Sequence, residues 1–180
     1  DLMGPDDAAD LMANLTSERA EALLELMDDE EAEDIRQLLK YEPYTAGGLM
    51  TPEPIICAAD TTVAEALALI RRREVEPVLA AQVFVTMPPY ETPAGRYLGV
   101  VHFQKLLRYP PSERLGTLLD SEQEPIDAHT PIGQIHRDLA TYDLVALPVI
   151  DTERHLIGAV TVDDVLDHLL PDDWRSEEES

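Results

Sequence analysis

Along the first forty or so residues, apolar positions recur in three short blocks about a dozen residues apart. The blocks are Ala9, Leu11, Met12 and Leu15; then Ala20, Leu23, Leu24 and Met27; then Ala32, Ile35, Leu38 and Leu39. Each advances mainly in steps of three and four, the spacing that lays one stripe of a helix against a neighbour. The pattern predicts three short amphipathic helices. Their starts carry matching signals: Pro5 suits a first helical turn, Thr16 or Ser17 an N-cap, and Asp28 followed by Glu31 resembles a capping box with Asp in the Ser/Thr place.

After Pro43 the texture changes to Gly47-Gly48, Pro52 and Pro54, and strand-like and helix-like stretches then alternate. A boundary therefore falls near residues 42–52. Beyond it the chain repeats itself: Glu53-Pro54-Ile55 returns as Glu124-Pro125-Ile126, and Leu98-Gly99-Val100-Val101 as Ile157-Gly158-Ala159-Val160. The offsets, 71 and 59, differ by 12 residues, so the first copy carries an insertion, placed at residues 87–95 and read as an extended hairpin loop. Each copy runs strand, helix, strand, strand, helix. In the second the later elements are 132–141, 146–150, 156–160 and 162–170; in the first they are 63–72, 82–86, 97–101 and 103–108. The organisation expected is an acidic helical module (1–42), a linker (43–52), a first repeat (53–120), a second (121–171) and an acidic tail (172–180). The fold class is α/β, in α+β repeats that bury each other, with a small all-helical module in front.

Charge narrows the partners. There are 37 Asp and Glu against 13 Lys and Arg, a net charge of −24, and the excess sits at the ends: residues 1–42 hold 14 acidic and 3 basic, residues 151–180 hold 10 and 2. Such a surface repels a phosphate backbone, which excludes nucleic acid, and it repels itself unless a cation is present. A hydrophobic fraction of 44% is too high for a disordered acidic chain. The lone Cys57 forms no internal disulfide and fits a cytoplasmic setting, possible membrane spans are absent from the apolar runs, and Asp1 suggests a piece of a longer chain. The five histidines lack zinc spacing, no nucleophile or phosphate-loop motif occurs, and Arg71-Arg72-Arg73 reads as a helix end. The expectation is a protein that is not an enzyme. Gly47-Gly48 reads as a place for the linker to turn, and Cys57 as a packed strand thiol.

A tandem repeat whose last helix opens with Gly158-Ala159-Val160-Thr161-Val162-Asp163-Asp164 resembles the CBS (cystathionine-β-synthase) domain pair. Tyr44-Thr45-Ala46-Gly47-Gly48-Leu49-Met50-Thr51-Pro52, the stretch Tyr142 to Val149, and Val162 to Asp167, behind acidic helices, are similar to the cytosolic region of MgtE-type magnesium transporters or a soluble relative.

The resemblance implies a regulatory module that senses Mg²⁺ through acidic clusters between the helical module and the CBS pair. Carried over, the ion would be held by Asp6 and Asp10, by Asp143, by Asp164 and Asp167, and by Asp172. Asp6 and Asp10 are four apart and Asp164 and Asp167 three apart, so each pair shares a helix face, and hard carboxylate oxygens suit Mg²⁺. It also implies adenine-nucleotide binding (ATP or AMP) by Thr161 and Asp164, so two ligands lay claim to Asp164; the first copy has His102 and Lys105 at those places. Two departures stand out. Pro131 and Gly133 occupy positions where the family has acids, and Pro171 stops the helix that in transporters leads toward the membrane. The partners implied are a second copy, through CBS helices bearing Leu67, Ile70, Leu166 and Leu170, and a transmembrane domain of the same or another chain. An adenine-nucleotide sensor and a purely structural dimerisation module are the alternatives.

Overall fold

The computed structural model describes residues 4–73, 75–120, 122–142 and 144–169. Three helices open the chain: α1 (Pro5–Ala13), α2 (Ser17–Leu24) and α3 (Asp29–Leu38). Each turns its apolar stripe inward, so Met12, Leu24, Ile35 and Leu38 are buried. Pro5 stands in the first turn of α1, and Thr16 and Asp28 are the N-caps of α2 and α3. Asp28 occupies its place without a side-chain capping bond, so the capping box expected there does not form. The first turn of α3 holds Asp29, Glu30 and Glu31, whose charges already complement the positive end of the helix.

The two repeats have the same build. In the first, β1 (Ile56–Cys57) pairs in parallel with β2 (Gln82–Thr86), which pairs antiparallel with β3 (Tyr97–His102). In the second, β4 (Ile126–Asp127), β5 (Ala146–Ile150) and β6 (Leu156–Thr161) repeat that order. Even the register break recurs, at Val85/Thr86 and at Val149/Ile150. Helices α5 (Val63–Ile70) and α6 (Phe103–Leu106) flank the first sheet, and α7 (Ile132–Thr141) and α8 (Val162–Asp167) the second. A capping box does form at α5: the Thr62 N–H donates to Glu65 Oε2 (2.8 Å) and the Glu65 N–H to Thr62 Oγ1 (3.3 Å). Cys57 is buried in β1, and burial pushes its thiol up to about 11, so it packs as a small hydrophobe.

Three apolar clusters organise the molecule. One fills the first repeat around Val83, Val101 and Leu115; Leu67 and Ile70 pack half-buried against it. A second, with Phe84, Tyr97, Val100, Leu156 and Ala159, draws on both sheets and buries one repeat against the other. The third runs without a break from the helical module into the second repeat, joining Met12, Ile35 and Leu38 to Leu49, Ile135 and Val160. Leu166 is half exposed, and Leu170 lies outside the described residues.

The connecting segment is the hinge of this arrangement. It contains a short helix, α4 (Ala46–Leu49), and its backbone bonds run to the second repeat: Ala46 N–H to Thr130 O (2.8 Å), Gly47 N–H to Ala128 O (2.7 Å), and a mutual pair between Thr51 and Ala159. Gly47 and Gly48 are buried inside α4, not at a turn; a Cβ on Gly47 would lie 2.4 Å from the Tyr41 ring and one on Gly48 2.4 Å from Glu42 O. What they supply is close approach. At Gly158 a Cβ would lie 2.7 Å from both Met50 Sδ and Thr51 O. Gly158→Ala is therefore expected to lower stability by about 1–3 kcal/mol, read as a shift of the urea midpoint, because β6 and the segment must separate to admit a methyl group.

The insertion at 87–95 crosses to the second repeat. Ala94 N–H donates to Leu156 O (2.8 Å), Leu156 N–H to Gly95 O (3.2 Å), and the Thr92 hydroxyl to Pro52 O (2.5 Å). It acts as a strap. Among the described residues no helix is long and apolar enough to cross a membrane.

Candidate functional site

Helix α1 lies alongside α8 so that their N-terminal ends meet. Asp6, in the first turn of α1, faces Asp164, in the first turn of α8, across a cleft of about 230 Å³ that Glu53, Arg72 and Glu76 also line. One turn further on, Asp10 Oδ2 is 3.4 Å from Nε2 of His168, the residue that caps the C-terminus of α8. The other ring nitrogen of His168 is 2.9 Å from Asp164 O, and the ring meets Tyr44 edge-on at 5.8 Å. Like charge thus faces like at one level and a carboxylate meets an imidazole at the next.

Burial dominates the electrostatics. It pushes the Asp164 carboxyl up to about 7; hydrogen bonds from Thr161 oppose the shift, and the nearby Asp6 and Asp163 add to it. Asp6 is raised to about 6, again chiefly by burial, with help from Asp7 and Glu76 and against the Asp7 N–H, which donates to Asp6 Oδ1 at 3.1 Å. Asp10 is raised by burial, and His168 pulls it back. Glu53 is raised by burial and by Asp34, Glu31, Glu30 and Glu76. One cation, Arg72, faces four carboxylates among the described lining residues, so the cleft repels anions and holds its carboxylates at a cost.

Of the residues expected in an ion site, Asp6 and Asp164 are brought together. Asp10 stands one turn away with His168; Asp167 is the last residue of α8 and does not line the cleft. Asp143 and Asp172 lie outside the described residues. No three His, Cys, Asp or Glu side chains converge on one metal position among the described residues. A pair of carboxylates with space for water is, however, what Mg²⁺ takes, since it keeps much of its hydration shell and prefers oxygen. The residues fit a hydrated divalent cation.

Thr161 and Asp164, the pair that the resemblance assigns to a nucleotide, line the same cleft. Thr161 is buried, its N–H donates to Asp164 Oδ2 (3.1 Å), and its hydroxyl bonds to the same carboxylate and lies 2.7 Å from Asp163 Oδ1. Thr161 thus holds one oxygen of Asp164, and Arg72 is the one Lys or Arg among the described lining residues, beside Asp6, Glu53 and Glu76. Glu53, Arg72, Glu76 and His168 were not picked out by sequence. Two of the four carried a signal: Glu53 opens the repeated Glu-Pro-Ile, and His168 follows Asp164 by four, as Asp10 follows Asp6.

Comparison with known proteins agrees with this architecture. The family model described as the MgtE intracellular N domain matches residues 1–44, and the CBS domain model matches residues 46–112 and 121–171. The magnesium transporter MgtE of Thermus thermophilus is 32% identical over 167 residues, covering 91% of this chain and 36% of that protein. The Bacillus subtilis magnesium transporter MgtE is 26% identical over 165 residues, 92% of this chain and 36% of that protein. The chain thus spans about a third of the length of these curated relatives. A crystal structure of the cytosolic domain of the Mg²⁺ channel MgtE in complex with ATP superposes with a TM-score of 0.82 at 31% identity, over 92% of this chain and 66% of that one. The soluble part of a magnesium transporter gives 0.81 at 29%, over 95% and 64%. With an MgtE N domain running directly into two CBS domains, the chain belongs to the CBS-domain family and is a homologue of the cytosolic region of MgtE magnesium transporters.

Proposed function

We propose that the protein is a non-enzymatic regulatory module, on the cytoplasmic side of a membrane, that senses Mg²⁺ at the junction of the helical module and the second CBS domain. The observation that carries this reading is the juxtaposition of Asp6 and Asp164, from two different domains, each raised toward neutrality by burial. A hydrated Mg²⁺ between them would neutralise both and favour the closed junction over an open one. That difference in affinity is what any ligand-driven shift requires. Asp10 and Asp167 would add negative charge on the same two helices, and the resemblance assigns Asp143 and Asp172 to the same ion. The output would pass to a transmembrane transport domain in the same or another chain.

Thermal unfolding tests it. A ligand bound only by the folded state at about a hundred times its Kd adds roughly 2.7 kcal/mol. Mg²⁺ is expected to raise the melting temperature well beyond NaCl of equal ionic strength, because NaCl screens without coordinating. Equal shifts would sink the proposal.

The same reading includes a homodimer through the CBS pair. Its support is apolar surface on and just beyond the last helix of each repeat: Leu107 is 63% exposed, Leu166 48% and Leu169 57%. Light scattering at micromolar protein is expected to give about twice the 20.0 kDa of one chain; a monomer with and without Mg²⁺ would remove the dimer from the proposal.

A further inference from the structure

The run Arg71-Arg72-Arg73 is the one basic tract of the chain, and the end of a helix accounts for only part of it. Arg71 is the C-cap of α5, and its N–H donates to Leu67 O (3.1 Å), a place where a cation complements the helix dipole. All three side chains are exposed, yet they do not stand alike. Arg72 lines the Asp6–Asp164 cleft, and Arg71 and Arg73 do not.

Arg72 belongs to a wall. Beyond α5 the residues that reach the cleft, Arg72, Val75, Glu76 and Leu79, follow in steps of three, one and three, as on one side of a helix. Backbone bonds from Val75 N–H to Arg72 O (3.4 Å) and from Ala80 N–H to Glu76 O (2.9 Å) fix this stretch. Asp6 comes from the helical module, Asp164 from the second repeat, and these four residues from the segment between α5 and β2 of the first. A site that joins two bodies is thus overlooked by a third, which presents it with a cation and a further acid.

The charges on that wall act through space. Glu76 adds to the field on both Asp6 and Glu53. The Arg72 guanidinium takes part in no ion pair among the described residues. It therefore offsets Asp6, Glu53, Glu76 and Asp164 by its field alone, and an arriving cation has no salt bridge to break before it takes over that role. Sharing the cleft has a cost for the newcomer. At an effective dielectric between that of water and about 20, a unit charge across such a cleft weakens the binding of a divalent ion roughly fivefold or more.

We infer that Arg72 is a built-in counter-cation of this cleft: it compensates part of the carboxylate charge when no divalent ion is bound, and it sets the Mg²⁺ concentration at which the ion takes over. Entry of Mg²⁺ then drives the guanidinium off the cleft, and through it the first repeat registers the ion. The inference rests on the Mg²⁺ reading above.

Calorimetric titration of the 180-residue protein with Mg²⁺, at an ionic strength of about 0.15 M where screening sets in within about 8 Å, tests it. Melting temperatures are taken alongside in divalent-free buffer. Arg72→Gln is expected to tighten Mg²⁺ binding roughly fivefold and, without divalent ions, to melt below the native protein. Arg72→Lys keeps the charge and is expected to bind Mg²⁺ within about twofold of native. Arg71→Gln and Arg73→Gln remove the same charge from positions that do not line the cleft, and each is expected to stay within about twofold as well. Native affinity in Arg72→Gln would overturn the inference. So would equal tightening by all three Gln variants, since net charge would then be the cause, or loss of ATP binding in Arg72→Gln at unchanged Mg²⁺ affinity, the mark of a phosphate contact. A native protein that responds to Mg²⁺ no more than to NaCl of equal ionic strength would remove the Mg²⁺ reading itself, and the inference with it.

Discussion

With Asp6 and Asp164 both replaced by Asn, the protein is expected to melt higher than the native one in divalent-free buffer at pH near 8, and to lose most of its response to Mg²⁺. The two carboxyls ionise at about 6 and about 7 in the folded state, against 3.8 for the free groups. Between those values the folded state holds protons that the unfolded chain has released. The contribution of this pair to stability is therefore greatest below about pH 4 and falls as pH rises through the folded values, the reverse of a salt-bridged carboxylate. A tenfold displacement of an ionisation equilibrium is ~1.4 kcal/mol, and allowing for coupling and partial solvent access the pair costs on the order of 2–4 kcal/mol at pH 8. At ~2–4 °C per kcal/mol, the Asn variant should gain roughly 5–12 °C there and show a flatter profile of melting temperature against pH. Asn keeps the acceptor that the Thr161 and Asp7 N–H groups use, so the helix starts are preserved. If the variant melts with the native protein at pH 8 and keeps its Mg²⁺ shift, the ion acts elsewhere.

Leu49→Ala should have the largest effect of any single truncation near the junction. Leu49 is 2% exposed and belongs to the apolar cluster that continues from the helical module into the second repeat. Deleting its side chain leaves a cavity that the flanking α1, α3 and β6 cannot fill together, at a cost of about 2–5 kcal/mol. Because α4 touches both bodies, the loss falls on their union: limited proteolysis should cut near residues 40–52 in the variant under conditions where the native chain is intact. A urea midpoint within error of the native value, with the same protection, would show that the cluster does not join them.

The repeated strands and the three leading helices were legible because each is announced by its own residues. Gln82–Thr86 and Ala146–Ile150 coincide with the segments read from the repeat, and the helices follow stripes of period near 3.6. Periodicity states which face is apolar but not what covers it. Hence Gly47-Gly48 read as a turn, when their bareness serves the approach of Tyr41 and Glu42, and the insertion at 87–95, a loop between β2 and β3 as read, gave no sign that its backbone bonds reach β6. The same limit applied at the cleft. Asp6 and Asp164 came from the family resemblance, whereas Glu53, Arg72, Glu76 and His168 are neighbours only through tertiary contact.

The pairing of Thr51 with Ala159 also sets a timetable for synthesis. The segment leaves the ribosome about 110 residues ahead of the strand that receives it, a lag of roughly 5–20 s at ~5–20 residues per second. For about the first three quarters of that interval α4 has no Thr130 or Ala128 carbonyl to donate to, and the helical module lacks the second-repeat side chains that pack with Met12 and Leu38. The first repeat, whose core draws on residues 55–119 alone, can already have closed. On this order the first repeat is expected to fold ahead of the helical module, which is seated only after β6 has emerged.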